Sequence, residues 1–134
     1  DEFQRRRAAE EFLESFEVFG RGHWYGTLWS EVTPSLEAGV WVLLEVDVDG
    51  AQEVLSKFPQ AVSIFLRPES LAELERRLRT RGTEDEDAVR RRLAVAEKEL
   101  QLADRYRHQV INHTVPQAVE EICGILNSEG LLHD

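Results

Sequence analysis

The chain has 134 residues and contains no methionine, one cysteine and two lysines. A single cysteine, Cys123, rules out a disulfide within the chain and points to a reducing compartment, the cytoplasm. It lies in an apolar helical pattern and reads as a core residue rather than a nucleophile. A translated chain ordinarily begins with methionine, so Asp1 is not expected to be the native start. No apolar run reaches the roughly 18 residues of a membrane span, and the opening DEFQRRRAAEEF lacks the apolar stretch of a secretory signal. One cysteine and four scattered histidines (His23, His108, His113, His133) do not have the spacing of a zinc site. These histidines read as surface or turn residues. No Gly-x-Ser-x-Gly elbow occurs. Basic charge is short as well: 16 Lys and Arg against 26 Asp and Glu give a formal net charge of −10, which argues against general nucleic-acid binding.

What remains is 42% hydrophobic and 31% charged, the balance of one soluble globular domain. Its positive charge is uneven. Seven of the 14 arginines fall between Arg76 and Arg92, interleaved with acids. One reading is a solvated pair of helices laced by ion pairs. The other is a local anion clamp on an acidic protein. Arg77 and Arg81 are four apart and share a helix face, whereas Arg90, Arg91 and Arg92 fan out over roughly 200°. Between them Gly82-Thr83-Glu84-Asp85-Glu86-Asp87 reads as a polar hinge. Arginine suits a clamp because its planar fork takes phosphate oxygens two at a time and stays charged.

Along the chain, the first dozen residues predict an amphiphilic helix ending near Phe12-Leu13. A loop follows with Phe19, Gly20, Gly22, Trp24, Tyr25 and Gly26. Thr33 to Gly39 predicts a short helix closed by glycine. Val40 to Val46 is an apolar run without alternation, the pattern of a parallel strand buried on both faces. Asp49 is placed to cap a helix from about Gly50 to Phe58, which Pro59 ends. Ala61 to Leu66 predicts a second buried strand. Ser70 caps a helix with Leu71, Leu74 and Leu78 on one face, stopped at Gly82. The next helix begins near Glu84 with the stripe Val89, Leu93, Ala96, Leu100 and Ala103. Gln109 to Ile111 is a short strand, and a last helix from about Pro116 packs Val119, Ile122 and Leu126. Alternating strands and helices predict an α/β fold with a mostly parallel sheet.

In such sheets ligands bind beyond the carboxyl ends of the strands. Two ends carry polar groups. Glu45, Asp47 and Asp49 could hold Mg²⁺ through water or accept from a substrate, or act only as a cap and a satisfied polar group. Asn112 could read a purine edge or serve as turn chemistry.

Four blocks then match a known family. FLESFEVFGRGHWYGT resembles the guanylate kinase stretch FLE-x-x-x-V-x-G-x-x-YGT. GVWVLLEVDVDGAQEV resembles its G-x-x-x-LLDIDVQGA. RRLRTRGTEDEDAVRRRL is similar to its lid, RL-x-x-RGTE-x-x-x-x-I-x-x-RL, and VINHTVPQAVEEI to its VIVND-x-x-x-x-A-x-x-x-I. The blocks keep the family's order and cover nearly the whole chain.

The resemblance implies a P-loop-type α/β core, with a GMP-binding subdomain in part over residues 1–32, core over 33–75 and 105–134, and a lid over 76–104. It implies ATP and GMP as substrates, Mg²⁺ as cofactor, and no nucleic-acid or membrane partner. Glu14 matches the acid that accepts from guanine N–H groups. Tyr25 matches a tyrosine on the GMP phosphate, and Thr27 a hydroxyl near guanine O6. Asp47 matches the second acid of the strand-end pair, on the GMP and metal side, and Glu45 stands for the first. Arg77, Arg81 and Arg92 match arginines on ATP phosphates, with Arg81 and Arg92 the implied catalytic cations. Asn112 matches the asparagine near adenine. The implied chemistry is in-line phosphoryl transfer, helped by positioning and charge neutralisation, with lid closure excluding water.

Departures bear on activity. Gly-x-x-x-x-Gly-Lys-[Ser/Thr] is absent, since the only lysines are Lys57 and Lys98, and so is the family's Thr-Thr-Arg-x-x-Arg block. Both are expected upstream of Asp1, so this segment alone is expected not to turn over. Asp49 replaces a glutamine, and the Gly20–Tyr25 loop is two residues longer. A chain without the first strand is expected to be poorly stable or to associate through exposed strand edges. A non-catalytic guanylate kinase-like module that binds phosphopeptides stays open as the alternative function.

Overall fold

Glu10 stands at φ 58°, in the left-handed region, and this turn separates the first helix from the first strand. Helix α1 (Glu2–Ala8) is capped by Asp1, whose carboxylate accepts from the Gln4 N–H. The helix does not extend to Leu13 as the sequence suggested. Phe12 and Leu13 open strand β1 (Phe12–Val18), which pairs antiparallel with β2 (His23–Leu28). A helix this short is marginal by itself, and the ladder offers those residues more hydrogen bonds. Phe3 of α1 packs on Phe12 at 4.5 Å and on Trp24 at 6.0 Å, and the Arg7 guanidinium lies 4.2 Å from the Trp24 ring centre. Gly26, expected in a loop, is a strand residue.

The computed structural model describes residues 1–18, 23–82 and 85–130. Phe19, Gly20 and Gly22 of the expected loop, Thr83 and Glu84 of the expected hinge, and His133 lie outside the described residues. The chain divides into two units, Asp1–Ala61 and Val62–Asp134.

The first unit continues with α2 (Trp29–Glu37), which starts earlier than Thr33 and closes before Gly39 at φ 75°. Val40 to Val46 then departs from expectation. It forms neither strand nor helix, and Trp41 and Leu43 are 63% and 92% exposed. A strand needs a neighbour to satisfy its backbone, and this run has none among the described residues. Helix α3 (Val48–Lys57) is capped by Asp47 rather than Asp49: Asp47 Oδ1 accepts from the Val48 N–H at 2.7 Å. Asp49 sits in the first turn, where its charge suits the helix dipole. The helix packs on β1 and buries Val48, Gly50 and Ala51.

In the second unit β3 (Ile64–Arg67) pairs parallel with β4 (His108–Ile111), Ile64 opposite His108 through Arg67 opposite Ile111. Parallel strands need a long connection. It is supplied by α4 (Leu71–Arg81), α5 (Glu86–Gln101) and a 3₁₀ turn (Ala103–Arg105). Ser70 Oγ accepts from the Glu73 N–H at 3.0 Å, and Gly82 at φ 63° ends α4, as the sequence implied. Asp85 caps α5, its carboxylate accepting from the Ala88 N–H at 2.8 Å. Helix α6 (Val115–Ser128) is capped by Thr114. Phe65, Leu78, Val89, Ala103, Val110 and Ala118 are the buried apolar residues here. Two expectations fail on α6. Val119 and Cys123 are exposed, because the inward stripe runs Ala118, Ile122, Ile125 and Leu126, about 100° away. Among the described residues no helix is long and apolar enough to cross a membrane.

Candidate functional site

Strand side chains alternate faces, so the register of the hairpin decides which residues meet. The register shifts between Phe12 and Glu14, leaving Leu13 as an extra residue. After this bulge Glu14 stands opposite Thr27 and Phe16 opposite Tyr25. Glu14, Tyr25 and Thr27 therefore share one face of the hairpin. Bulges of this kind re-aim a side chain.

Thr27 Oγ1 donates to Glu14 Oε1 at 2.6 Å. Glu14 is only 1% exposed, and its Oε2 is buried without a hydrogen-bond partner. Gly50 of α3 closes the space over it: a Cβ at Gly50 would lie 2.7 Å from Oε2. A buried carboxylate oxygen with no donor is costly, so the niche holds an unsatisfied acceptor in a fixed place. Gly26 faces the other side of the hairpin, where a Cβ would lie 2.7 Å from the Glu14 carbonyl oxygen and 2.8 Å from the Phe12 ring. Tyr25, by contrast, is 61% exposed, its ring 6.3 Å from Phe16. It lines a surface depression of about 320 Å³ with Phe3, His23 and Trp24, which does not include Glu14.

Asp47 serves the α3 cap through Oδ1, and Glu45 is exposed. Among the described residues no three His, Cys, Asp or Glu side chains gather as a metal cage. The available donors suit a magnesium ion held largely by water and phosphate, which needs only one or two carboxylates.

In the second unit two expected residues come together. Arg77 donates from Nη1 to the Asn112 carbonyl at 3.4 Å and from Nη2 to that of His113 at 3.2 Å. Its Nε donates to Glu73 at 3.2 Å. Arg81, the last residue of α4, is exposed and makes no ion pair with the described residues. Arg92 lies on α5 and is exposed.

Arg79, which the sequence did not single out, joins the two helices. It donates to both Glu86 oxygens, at 2.5 and 3.0 Å, and to Glu75 at 3.2 Å. Its hydrogen bond holds the Glu86 carboxyl below the usual range. Arg76 does the same more strongly to Glu73, holding it at about 2. Arg76, Arg79 and Arg90 thus belong to the ion-paired surface, and Arg81 has no ion pair among the described residues.

The sequence also missed Gly50, Glu53 and Lys57, which contact β1 on either side of Glu14. Their spacing of three and four marks one helix face, but not what lies against it.

An α/β protein whose hairpin and helix enclose one unsatisfied carboxylate is what these elements define. The profile of the family described as Guanylate kinase matches residues 1–129. Guanylate kinase of Rhodopirellula baltica is 50% identical over 127 residues, 94% of this chain and 61% of that protein. That of Dechloromonas aromatica is 41% identical over 97% of this chain and 63% of its own length. The crystal structure of guanylate kinase from Anaplasma phagocytophilum superimposes with a TM-score of 0.78 at 29% identity, covering 98% of this chain and 62% of that one. The chain belongs to the guanylate kinase family. It spans a little over three fifths of the length of these relatives.

Proposed function

We propose that the chain carries the acceptor-nucleotide and lid parts of an ATP:GMP phosphotransferase, which transfers the γ-phosphoryl group of ATP to GMP and yields ADP and GDP. On this reading residues 1–32 belong to the GMP-binding part, 33–75 and 105–134 to the core, and 76–104 to the lid. The observation that supports it best is Glu14: a buried carboxylate with one oxygen held by Thr27 and the other without a donor. Guanine presents N1–H and N2–H donors where adenine presents none, so a lone acceptor favours GMP over AMP. The base reaches Oε2 once the residues over it part, Gly50 first among them.

The remaining roles follow the chemistry of each side chain. Tyr25, on the same face and exposed, has a hydroxyl to give to the GMP phosphate. Asp47 lies at the start of α3, one turn before Gly50. Arg81 and Arg92 supply cations to the transferring phosphoryl group, and Arg77 holds the loop at Asn112 on the adenine side. Bound Mg²⁺ would offset charge on the ATP phosphates, with Glu45 and Asp47 placed to orient its waters. Transfer itself rests on the complete enzyme. The cytoplasm is the compartment this chemistry and the single cysteine suit.

Titration calorimetry of the chain with GMP, AMP and a phosphoserine peptide tests the reading. GMP is expected to bind and AMP not. Glu14→Gln is expected to weaken GMP by about 10- to 100-fold, the scale of hydrogen bonds to a charged group. Tight phosphopeptide binding with no response to GMP would replace the enzyme by a non-catalytic module.

A further inference from the structure

Helix α3 grips the strand that carries Glu14 at three points, all on one stripe of the helix. Gly50 abuts the carboxylate itself. One turn later Glu53 Oε2 accepts from the Ser15 N–H at 3.3 Å, directly after Glu14 in the chain. A further turn on, the Lys57 ammonium donates to the Leu13 carbonyl, directly before Glu14. Glu53 and Lys57 are themselves paired at 3.2 Å. Lys57 also lies 5.7 Å from the centre of the Trp29 ring, which packs against Phe58 at 5.9 Å. One of the chain's two lysines is thus fixed by a carboxylate, a carbonyl and an aromatic face at once.

The bulge explains why such a brace is needed. An extra residue in one strand has backbone groups that the ladder does not reach. Leu13 is that residue, and its carbonyl is the one Lys57 takes. Without the brace the bulge could slide along the strand, and a slip of one residue would turn Glu14 to the opposite face of the hairpin. A recognition carboxylate must be held to a fraction of an ångström by the groups behind it.

We propose that Gly50, Glu53 and Lys57 are positioning residues that set the base selectivity of the site by fixing the bulge and the Glu14 carboxylate. This rests on the reading of Glu14 as the base acceptor. Glu53 and Lys57 hold the backbone on either side of Glu14, and Gly50 sets the space at its carboxylate. They decide where the acceptor stands, and so how well it distinguishes a base with two adjacent N–H donors from a base with one.

The test compares GMP with IMP, which lacks the exocyclic amino group. Dissociation constants for both are measured by calorimetry on the chain and on Lys57→Met, Lys57→Arg, Glu53→Gln and Gly50→Ala. The unaltered chain is expected to prefer GMP. Lys57→Met and Glu53→Gln are expected to lower that preference by about 3- to 10-fold, the range of one or two modest hydrogen bonds. Lys57→Arg is expected to restore most of it. Gly50→Ala, which pushes a methyl group against Oε2, is expected to lose GMP more than IMP. A purely structural role would weaken both nucleotides equally, and an unchanged ratio in Lys57→Met overturns the proposal. If the unaltered chain binds neither nucleotide, the reading of Glu14 fails instead. The brace is then judged in the free protein by the Glu14 side-chain ¹³C signal. A signal that stays put in Lys57→Met overturns it there too.

Discussion

Thr27 gives its hydroxyl hydrogen to Glu14 across the hairpin at 2.6 Å, and this is the only hydrogen bond the buried carboxylate makes among the described residues. The bond therefore carries the compensation for burying a carboxylate beneath α3. Thr27→Val keeps the shape and removes the donor. It is expected to destabilise the first unit by about 1.5–3 kcal/mol, the scale for a hydrogen bond to a charged group. Thr27→Ser, which keeps the hydroxyl, is expected to cost much less. Urea midpoints of the three proteins check this, and equal midpoints for Thr27→Val and the parent would refute it.

The contrast between Glu14 and Val40–Val46 shows where the sequence was legible. Capping signals were local, so Ser70 and the left-handed Gly82 could be placed from composition alone. The glycine of the YGT block has a steric cause, because a Cβ at Gly26 would meet Phe12 and the Glu14 backbone. Burial was not legible in the same way. The apolar run at Val40–Val46 carries the pattern of a buried strand, yet pattern cannot supply the neighbour that would bury it. Cys123 failed for a related reason: α6 has apolar residues on more than one face, and only its contact with β4 decides which face turns inward. The Glu53–Lys57 brace was invisible because its partners lie about 40 residues away on another element.

An exposed apolar run without a pairing partner has a consequence in solution. Leu43 and Trp41 present exposed side chains and backbone groups that no described residue pairs, the combination that promotes edge-to-edge association. The chain is expected to associate as its concentration rises, and Leu43→Lys to reduce that association without altering the helical signal. Light scattering coupled to gel filtration checks this. A chain that stays monomeric throughout, or a Leu43→Lys variant that associates equally, contradicts it.

Acid should weaken the second unit in a defined window. The hydrogen bond from Arg76 holds Glu73 at about 2, against an ordinary value of 4.5. In the unfolded chain this carboxylate takes up its proton earlier. Between pH 4.5 and about 2 the unfolded state therefore binds more protons, and stability falls as pH falls. Above that window the contribution is fully present. Glu129, lowered by His108 and then by Arg107, acts in the same direction where α6 meets β4. Unfolding midpoints measured across this range are expected to drop more steeply for the parent than for Glu73→Gln. The two should converge near pH 2. Parallel curves for the two proteins would remove Glu73 from the account.

Arg77 and Arg81 share a face of α4, but their surroundings differ. Arg77 is occupied, with its guanidinium spread over Glu73 and the carbonyls of Asn112 and His113. These bonds tie α4 to the turn between β4 and α6, and losing them leaves two carbonyls without that donor. Arg81 makes no such tie among the described residues and stands exposed at the helix end. Arg77→Ala is therefore expected to lower the melting temperature of the chain. Arg81→Ala is expected to leave it unchanged. On the function proposed above, the order should reverse for catalysis in the complete enzyme: Arg81→Ala is expected to lower kcat, as loss of a cation that offsets phosphoryl charge would. Arg77→Lys separates charge from geometry: a single ammonium cannot span both carbonyls, so it should recover little of the lost stability. Full recovery by Lys would mean that Arg77 contributes charge alone. An Arg81→Ala enzyme with unimpaired turnover would take that residue out of the catalytic set.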